Sequence, residues 1–142
     1  MPAMSRAEAE TFVAERHLGV FASIKSSDGR PQLSTVAYAL RDGRVRVSVT
    51  ADRAKTGNVR HDPRVSLHVS SEDGWSYVVV EGVAELSPVA AEPGDDTCRA
   101  LLATFEAIRG EPHPDPDEFF SAMVDDRRLE LSFAPAHWYP TG

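Results

Sequence analysis

The stretch RVRVSVTADRAKTGNVRHDPRVSLHV, residues 44–69, holds two periodicities in one run. Its ends alternate. Val45, Val47 and Val49 fall on one side, with Arg46, Ser48 and Thr50 on the other. Val65, Leu67 and Val69 then alternate against Ser66, His68 and Ser70. A period of two is that of a strand with one buried face. The middle does not alternate and reads as a short helix starting at Asp52 or Arg53. The unit is strand, helical turn, strand, and it sets the chain on the β side of the fold classes.

The neighbouring segments extend the pattern. GVFASIKSSDGRPQLSTVAYAL, residues 19–40, reads as two strands joined at Ser27-Asp28-Gly29, and Asp42-Gly43 makes the next turn. SEDG, residues 71–74, turns into a long strand, WSYVVVEGVAELS, in which Gly82 marks a bulge or bend. A helix over Ser5–Arg16 precedes the strands, with Ser5 and Glu8 spaced as a capping box and Phe12 and Val13 in its buried stripe. A second helix begins near Asp95 or Asp96 and stops at Gly110, with Leu101, Leu102, Phe105 and Ile108 on one face. A Pro-rich loop leads to a short helix carrying Phe119, Phe120, Met123 and Val124, and LELSFAPAHWY forms a last strand. The expected fold is mainly β within the α+β class. About six strands close into a barrel that removes their edges, and the helices flank it.

Composition narrows the function classes. At 142 residues, 1–142 is expected to be one domain with a sizeable core. A net charge of −7 argues against broad binding of nucleic acid or a membrane surface. The lone cysteine, Cys98, permits no intrachain disulfide and no cysteine-built zinc site, in keeping with the cytoplasm. The N-terminal residues have no apolar core of a signal peptide, and no apolar run approaches the ~18 residues of a membrane span.

Against that acidic background, Arg53, Lys55, Arg60 and Arg64 face Asp62 alone between residues 53 and 64. Cations on a short exposed helix are ordinarily solvated. The same residues at a helix N-terminus, with the Thr56 hydroxyl and with Ser48 and Thr50 leading in, suit a phosphate. Composition leaves both readings open. Gln32, Ser34 and Tyr38 put further polar groups on a strand. Trp75, Tyr77, Trp138 and Tyr139 either stack on a flat ring or pack at a rim. The five histidines have no helical metal-ligand spacing, and nucleophile-elbow and P-loop patterns are missing. No catalytic side-chain constellation or metal site is visible, so an enzyme of this sequence needs a cofactor to carry the reaction.

GVFASIKSSDGRPQLSTV, RAKTGNVRHDPRVSLHV, DGWSYVVVEGVAEL and MVDDRRLELSF occur in that order. Together they resemble the pyridoxamine-5′-phosphate-oxidase-like split β-barrel proteins, and most closely the branch that binds the deazaflavin coenzyme F420 in place of FMN. The resemblance covers roughly Glu15 to Tyr139. It implies a six-stranded split barrel with flanking helices, a homodimer, and cofactor sites at the subunit interface. It places Arg53, Lys55 and Thr56 on the cofactor phosphate, with Ser48, Thr50, Asn58 and Arg60 nearby. Gln32, Leu33, Ser34 and Val36 become contacts of the ring or the substrate pocket, and Trp75 and Tyr77 come from the partner subunit. The implied activity is hydride transfer from reduced F420 to an unsaturated small molecule. The alternatives are an FMN-dependent oxidoreductase and a non-catalytic F420 or flavin carrier. The chain ends at HWYPTG, without the extended C-terminal segment of the vitamin B6 oxidases, which argues against pyridoxamine phosphate as substrate.

Overall fold

The computed structural model describes residues 4–140. In chain order the described elements are α1 (Arg6–Ala14), β1 (Leu18–Ile24), β2 (Pro31–Ala37), β3 (Ala39–Arg41), β4 (Arg44–Thr50), α2 (Ala54–His61), β5 (Arg64–Ser70), β6 (Tyr77–Val83), β7 (Glu85–Leu86), α3 (Asp96–Arg109), α4 (Pro116–Asp125), β8 (Arg128–Phe133) and β9 (His137–Tyr139). Two antiparallel sheets form, one in the order β2-β1-β5-β6-β9 and one in the order β3-β4-β8-β7. The fold is an α+β split barrel.

The six periodic runs of the sequence become nine strands because three of them bend. The breaks fall at Tyr38 between β2 and β3, at Ala84 between β6 and β7, and at residues 134–136 between β8 and β9. Each time the chain leaves one sheet and continues in the other. A strand that switches sheets is how two twisted sheets make a closed corner. The expected count of six therefore gives way to nine shorter pieces.

The corners are held by specific contacts. Tyr38 is fully buried, and its hydroxyl donates to the Val13 carbonyl of α1. Burial pushes its pKa well above the usual phenol value. The α1 helix is fixed in turn by a capping box: the Glu8 amide donates to Ser5 Oγ at 3.1 Å and the Ser5 amide to Glu8 Oε1 at 3.1 Å. Gly82 makes no bulge, since β5 and β6 pair in unbroken register with Val65 opposite Gly82. Glycine is required there for a different reason. A Cβ would lie 2.7 Å from the Ala134 carbonyl oxygen and 2.7 Å from a Phe133 ring carbon.

The strand alternation read from sequence fills the barrel. Val45, Val47, Val49, Val65, Leu67 and Val69 are all buried, and Phe21, Leu129, Leu131, Phe133 and Trp138 complete the core. Each such side chain stabilises the fold by roughly 1.5–3 kcal/mol. The opposite face of the five-stranded sheet is exposed and apolar in places: Leu18 is 66%, Leu33 63% and Val83 61% exposed. The α3 and α4 helices pack on the other sheet. Asp95 caps α3 by accepting from the Cys98 amide at 2.8 Å, and Gly110 ends it in the left-handed conformation, φ 81°. No helix among the described residues is long and apolar enough to cross a membrane.

Candidate functional site: a basic turn beside an apolar cavity

The basic turn is built at the end of β4. After Thr50 the chain reverses through residues 51–53, and α2 begins with Arg53 as its N-cap. Arg53 supplies no side-chain cap, so the first-turn amides of α2 lack a side-chain acceptor. The turn is closed from within. Thr56 is fully buried, and its hydroxyl donates to the Thr50 carbonyl at 2.8 Å. Asn58 is buried as well; its Nδ2 donates to Gln32 Oε1 at 2.8 Å and to Ser23 Oγ at 3.2 Å. These bonds lash α2 to β1 and β2. Arg60 reaches back over the exposed side and donates to the Ala51 carbonyl at 3.3 Å.

The antiparallel register of β4 and β8 brings in a residue that sequence reading did not single out. Arg128 lies opposite Thr50, and its Nη1 donates to Ser48 Oγ at 3.4 Å. Its Nε is buried without a hydrogen bond, and the Asp126 carboxylate stands 3.9 Å away. Lys55 and Arg53 have no ion-pair partner among the described residues. Burial, then the charges of Arg53 and Arg128, hold the Lys55 pKa below the usual lysine value. Asp52 also sits at the turn, exposed; the Thr50 hydroxyl is the main cause of its lowered pKa. Thr50 Oγ1 is buried, and its contact with Asp52 does not meet the geometry of an ordinary hydrogen bond. The cluster is thus cationic and only partly solvated, which is the condition an anion relieves.

A cavity of 560 Å³ opens beside it. Val36, Ser48, Lys55 and Arg128 line the barrel side; Leu101, Phe105, Ile108, Phe119 and Met123 of α3 and α4 line the other. Of the residues expected at the site, Val36, Ser48 and Lys55 share this cavity, and Thr50 and Arg53 stand at the turn. Gln32, Thr56 and Asn58 are engaged in hydrogen bonds beneath the turn. Strand alternation puts Gln32, Ser34 and Val36 on one face of β2 and Leu33 on the opposite, exposed face. Trp75 is 82% exposed in the turn before β6. Tyr77 stacks on His68, with ring centroids 5.2 Å apart, on the outward side of the five-stranded sheet. Among the described residues, no three His, Cys, Asp or Glu side chains converge as metal ligands.

The fold is shared with known proteins. A conserved hypothetical protein from Mycobacterium tuberculosis superposes with a TM-score of 0.76 at 28% identity, over 95% of this chain and 82% of its own. A protein described as an F420 reductase superposes with a TM-score of 0.69 at 21% identity, over 97% of this chain and 98% of its own. An FAD-binding protein from Mesorhizobium loti gives 0.65 at 20% identity, over 96% and 92% of the two chains. The family model described as pyridoxamine 5′-phosphate oxidase matches residues 5–125, which takes in the helical cap, the barrel strands up to β7, the basic turn and both cavity helices. The chain therefore belongs to the pyridoxamine 5′-phosphate oxidase family.

Proposed function

We propose that the protein is an F420-dependent reductase acting on an unsaturated small molecule. One observation carries the reading: Arg53, Lys55 and Arg128 crowd together at the N-terminus of α2 without enough carboxylate to balance them. A phosphate answers both the charge and the uncapped amides. Arg53 and Lys55 would hold it, with Ser48, Thr50 and Arg128 beside them. Thr56 and Asn58 keep the turn in shape, and Arg60 covers its open side. Gln32, Ser34 and Val36 would border the ring, with Leu33 reaching outward from the same strand. When bound, the reduced deazaflavin supplies the hydride. The chain contributes binding, orientation and exclusion of water, so no single acid or base is indispensable.

The likeness to an F420 reductase favours this coenzyme within the family. The FAD-binding neighbour favours a second reading, an FMN-dependent oxidoreductase built on the same phosphate site. Either reading includes a two-fold homodimer, in which Trp75 and Tyr77 of each subunit approach the cofactor of the other. Calorimetric titration with F420 and with FMN distinguishes the coenzymes. A charge-assisted hydrogen bond contributes roughly 1.5–3 kcal/mol, so Lys55→Ala should weaken the preferred coenzyme ~10- to 150-fold. The loss should be smaller for the dephosphorylated fragment, and binding to the wild type should weaken as salt rises. Equal binding of both ligands by both proteins would sink the phosphate assignment.

A further inference from the structure

We propose that Asn58 is a positioning residue for the coenzyme: it turns the Gln32 amide so that Nε2 meets the ring edge as a hydrogen-bond donor. The inference rests on the coenzyme reading above and goes beyond it, because it sets the polarity of one contact and assigns the residue that imposes it.

Asn58 has no free donor of its own. Its Nδ2 carries two hydrogens. One goes to Gln32 Oε1 at 2.8 Å and the other to Ser23 Oγ at 3.2 Å. The two acceptors form a cross-strand pair, since Ser23 of β1 lies opposite Gln32 of β2. The α2 helix that carries Asn58 is itself tied to β4 by the Thr56 hydroxyl on the Thr50 carbonyl. Asn58 and Ser23 are both buried, so water competes little for these bonds. Asn58 is thus held from β1, β2 and its own helix, and its donors face the protein.

With Oε1 committed to Asn58, the open prong of the Gln32 amide is Nε2. Among the described residues Nε2 makes no hydrogen bond, and neither does Ser34 Oγ, two positions along the same face of β2. That face continues to Val36 at the cavity wall, and Lys55 of α2 lines the same cavity. Gln32 therefore offers a donor, and not an acceptor, on the β2 side of the groove. Flavin and deazaflavin rings both carry carbonyl oxygens on their pyrimidine edge, and that edge gains negative charge on reduction. A fixed donor there favours the reduced form over the oxidised one.

Two measurements test this. In the coenzyme-free protein, NMR should show the Asn58 side-chain amide protons exchanging with solvent at least about 10-fold more slowly than those of Gln32. Equal rates, or the reverse order, overturn the proposal. Calorimetry with oxidised and reduced F420 and FMN is then run on wild type, Gln32→Met, Asn58→Asp and the double variant. Gln32→Met removes the donor and keeps the bulk. It should weaken the reduced form of the coenzyme that wild type binds by about 10-fold or more, and the oxidised form by no more than about threefold. Asn58→Asp replaces the Nδ2 donor with an acceptor, so Gln32 must turn its own Nε2 inward, and the same pattern should appear. In the Gln32→Met background Asn58→Asp should add less than about threefold, because no amide is left to turn. An equal effect in both backgrounds overturns the proposal, since Asp would then act by charge alone. If wild type binds neither coenzyme, the reductase reading falls and this inference with it. If wild type binds one and Gln32→Met leaves the preference between redox forms unchanged, only this inference falls.

Discussion

Glu130→Ala removes the anion around which the four-stranded sheet and α3 are joined. Glu130 is 5% exposed; it accepts from Arg46 Nη1 at 2.8 Å and from Thr104 Oγ1 at 2.7 Å, and stands 3.8 Å from Arg41 Nη2. After truncation Arg46 retains the Arg41 carbonyl at 3.1 Å, and Arg41 retains Asp42 and weak 3.4 Å bonds to Ala100 and Thr104. Neither keeps a buried counter-charge. Breaking a buried pair from one side costs about 3–5 kcal/mol. Arg46 and Arg41 are 16% and 26% exposed, so some charge reaches water and the lower end applies, about 3 kcal/mol. At roughly 2–4 °C per kcal/mol for a chain of this size, the midpoint should fall by roughly 6–12 °C. Glu130→Gln loses the charge but keeps one carbonyl acceptor, enough for Arg46, and should cost about half as much. Urea denaturation followed by far-UV circular dichroism measures both, with an unchanged slope as the check that the same transition is compared. A loss below about 1 kcal/mol for Glu130→Ala, or equal losses for Ala and Gln, would show that the ionic contact does not hold α3 in place.

Three further outcomes are expected. Gly82→Ala forces a methyl against the Ala134 carbonyl and should destabilise by about 1–3 kcal/mol in thermal melts; an unchanged midpoint would mean the connection after β8 yields freely. Light scattering at micromolar concentration should give a dimer with an interface above about 2,000 Å², and Leu33→Asp or Val83→Asp should dissociate it; a wild-type monomer refutes this. The Asp95 carboxyl is held well below the usual range by the amides of Ala91, Cys98 and Glu92, a preference for the charged form that stabilises the fold above the unfolded value near 4 and is lost as pH falls through the folded value. Asp95→Ala should therefore cost about 1 kcal/mol at neutral pH, and the gap to wild type should narrow in acid; a gap constant down to pH 2 would remove the cap from the account.

The parts of this fold legible in sequence are those set by neighbours along the chain. The two alternating strands around α2, the Ser5 and Asp95 caps and the Gly110 stop all depend on residues within a few positions of each other. The corners do not. Alternation runs on through Tyr38, and the bend there exists because a second sheet waits on the other side. Pro135 was a usable signal for the third corner, since proline leaves a central ladder without a donor. In the candidate site, the β4–α2 residues were legible as a cluster. Grouping Leu33 with Gln32 and Ser34 overlooks strand alternation, which sends it to the opposite face. Arg128 escaped because it reaches Ser48 from 80 residues away, through a register that only the folded pair of strands defines.

The three bent strands also govern where this barrel tolerates foreign sequence. The tips at Ser27-Asp28-Gly29 and Asp42-Gly43 point into open space: a Cβ on either glycine would meet nothing within 4 Å, and both glycines have positive φ, 78° and 74°. An epitope or reporter grafted there lengthens a hairpin end and leaves every strand in its own sheet. The same graft at Tyr38, Ala84 or Pro135 would lengthen a corner, and the strand beyond it would arrive in the second sheet out of step with its neighbour. As a scaffold, the protein should accept passengers at its hairpin tips and reject them at its corners.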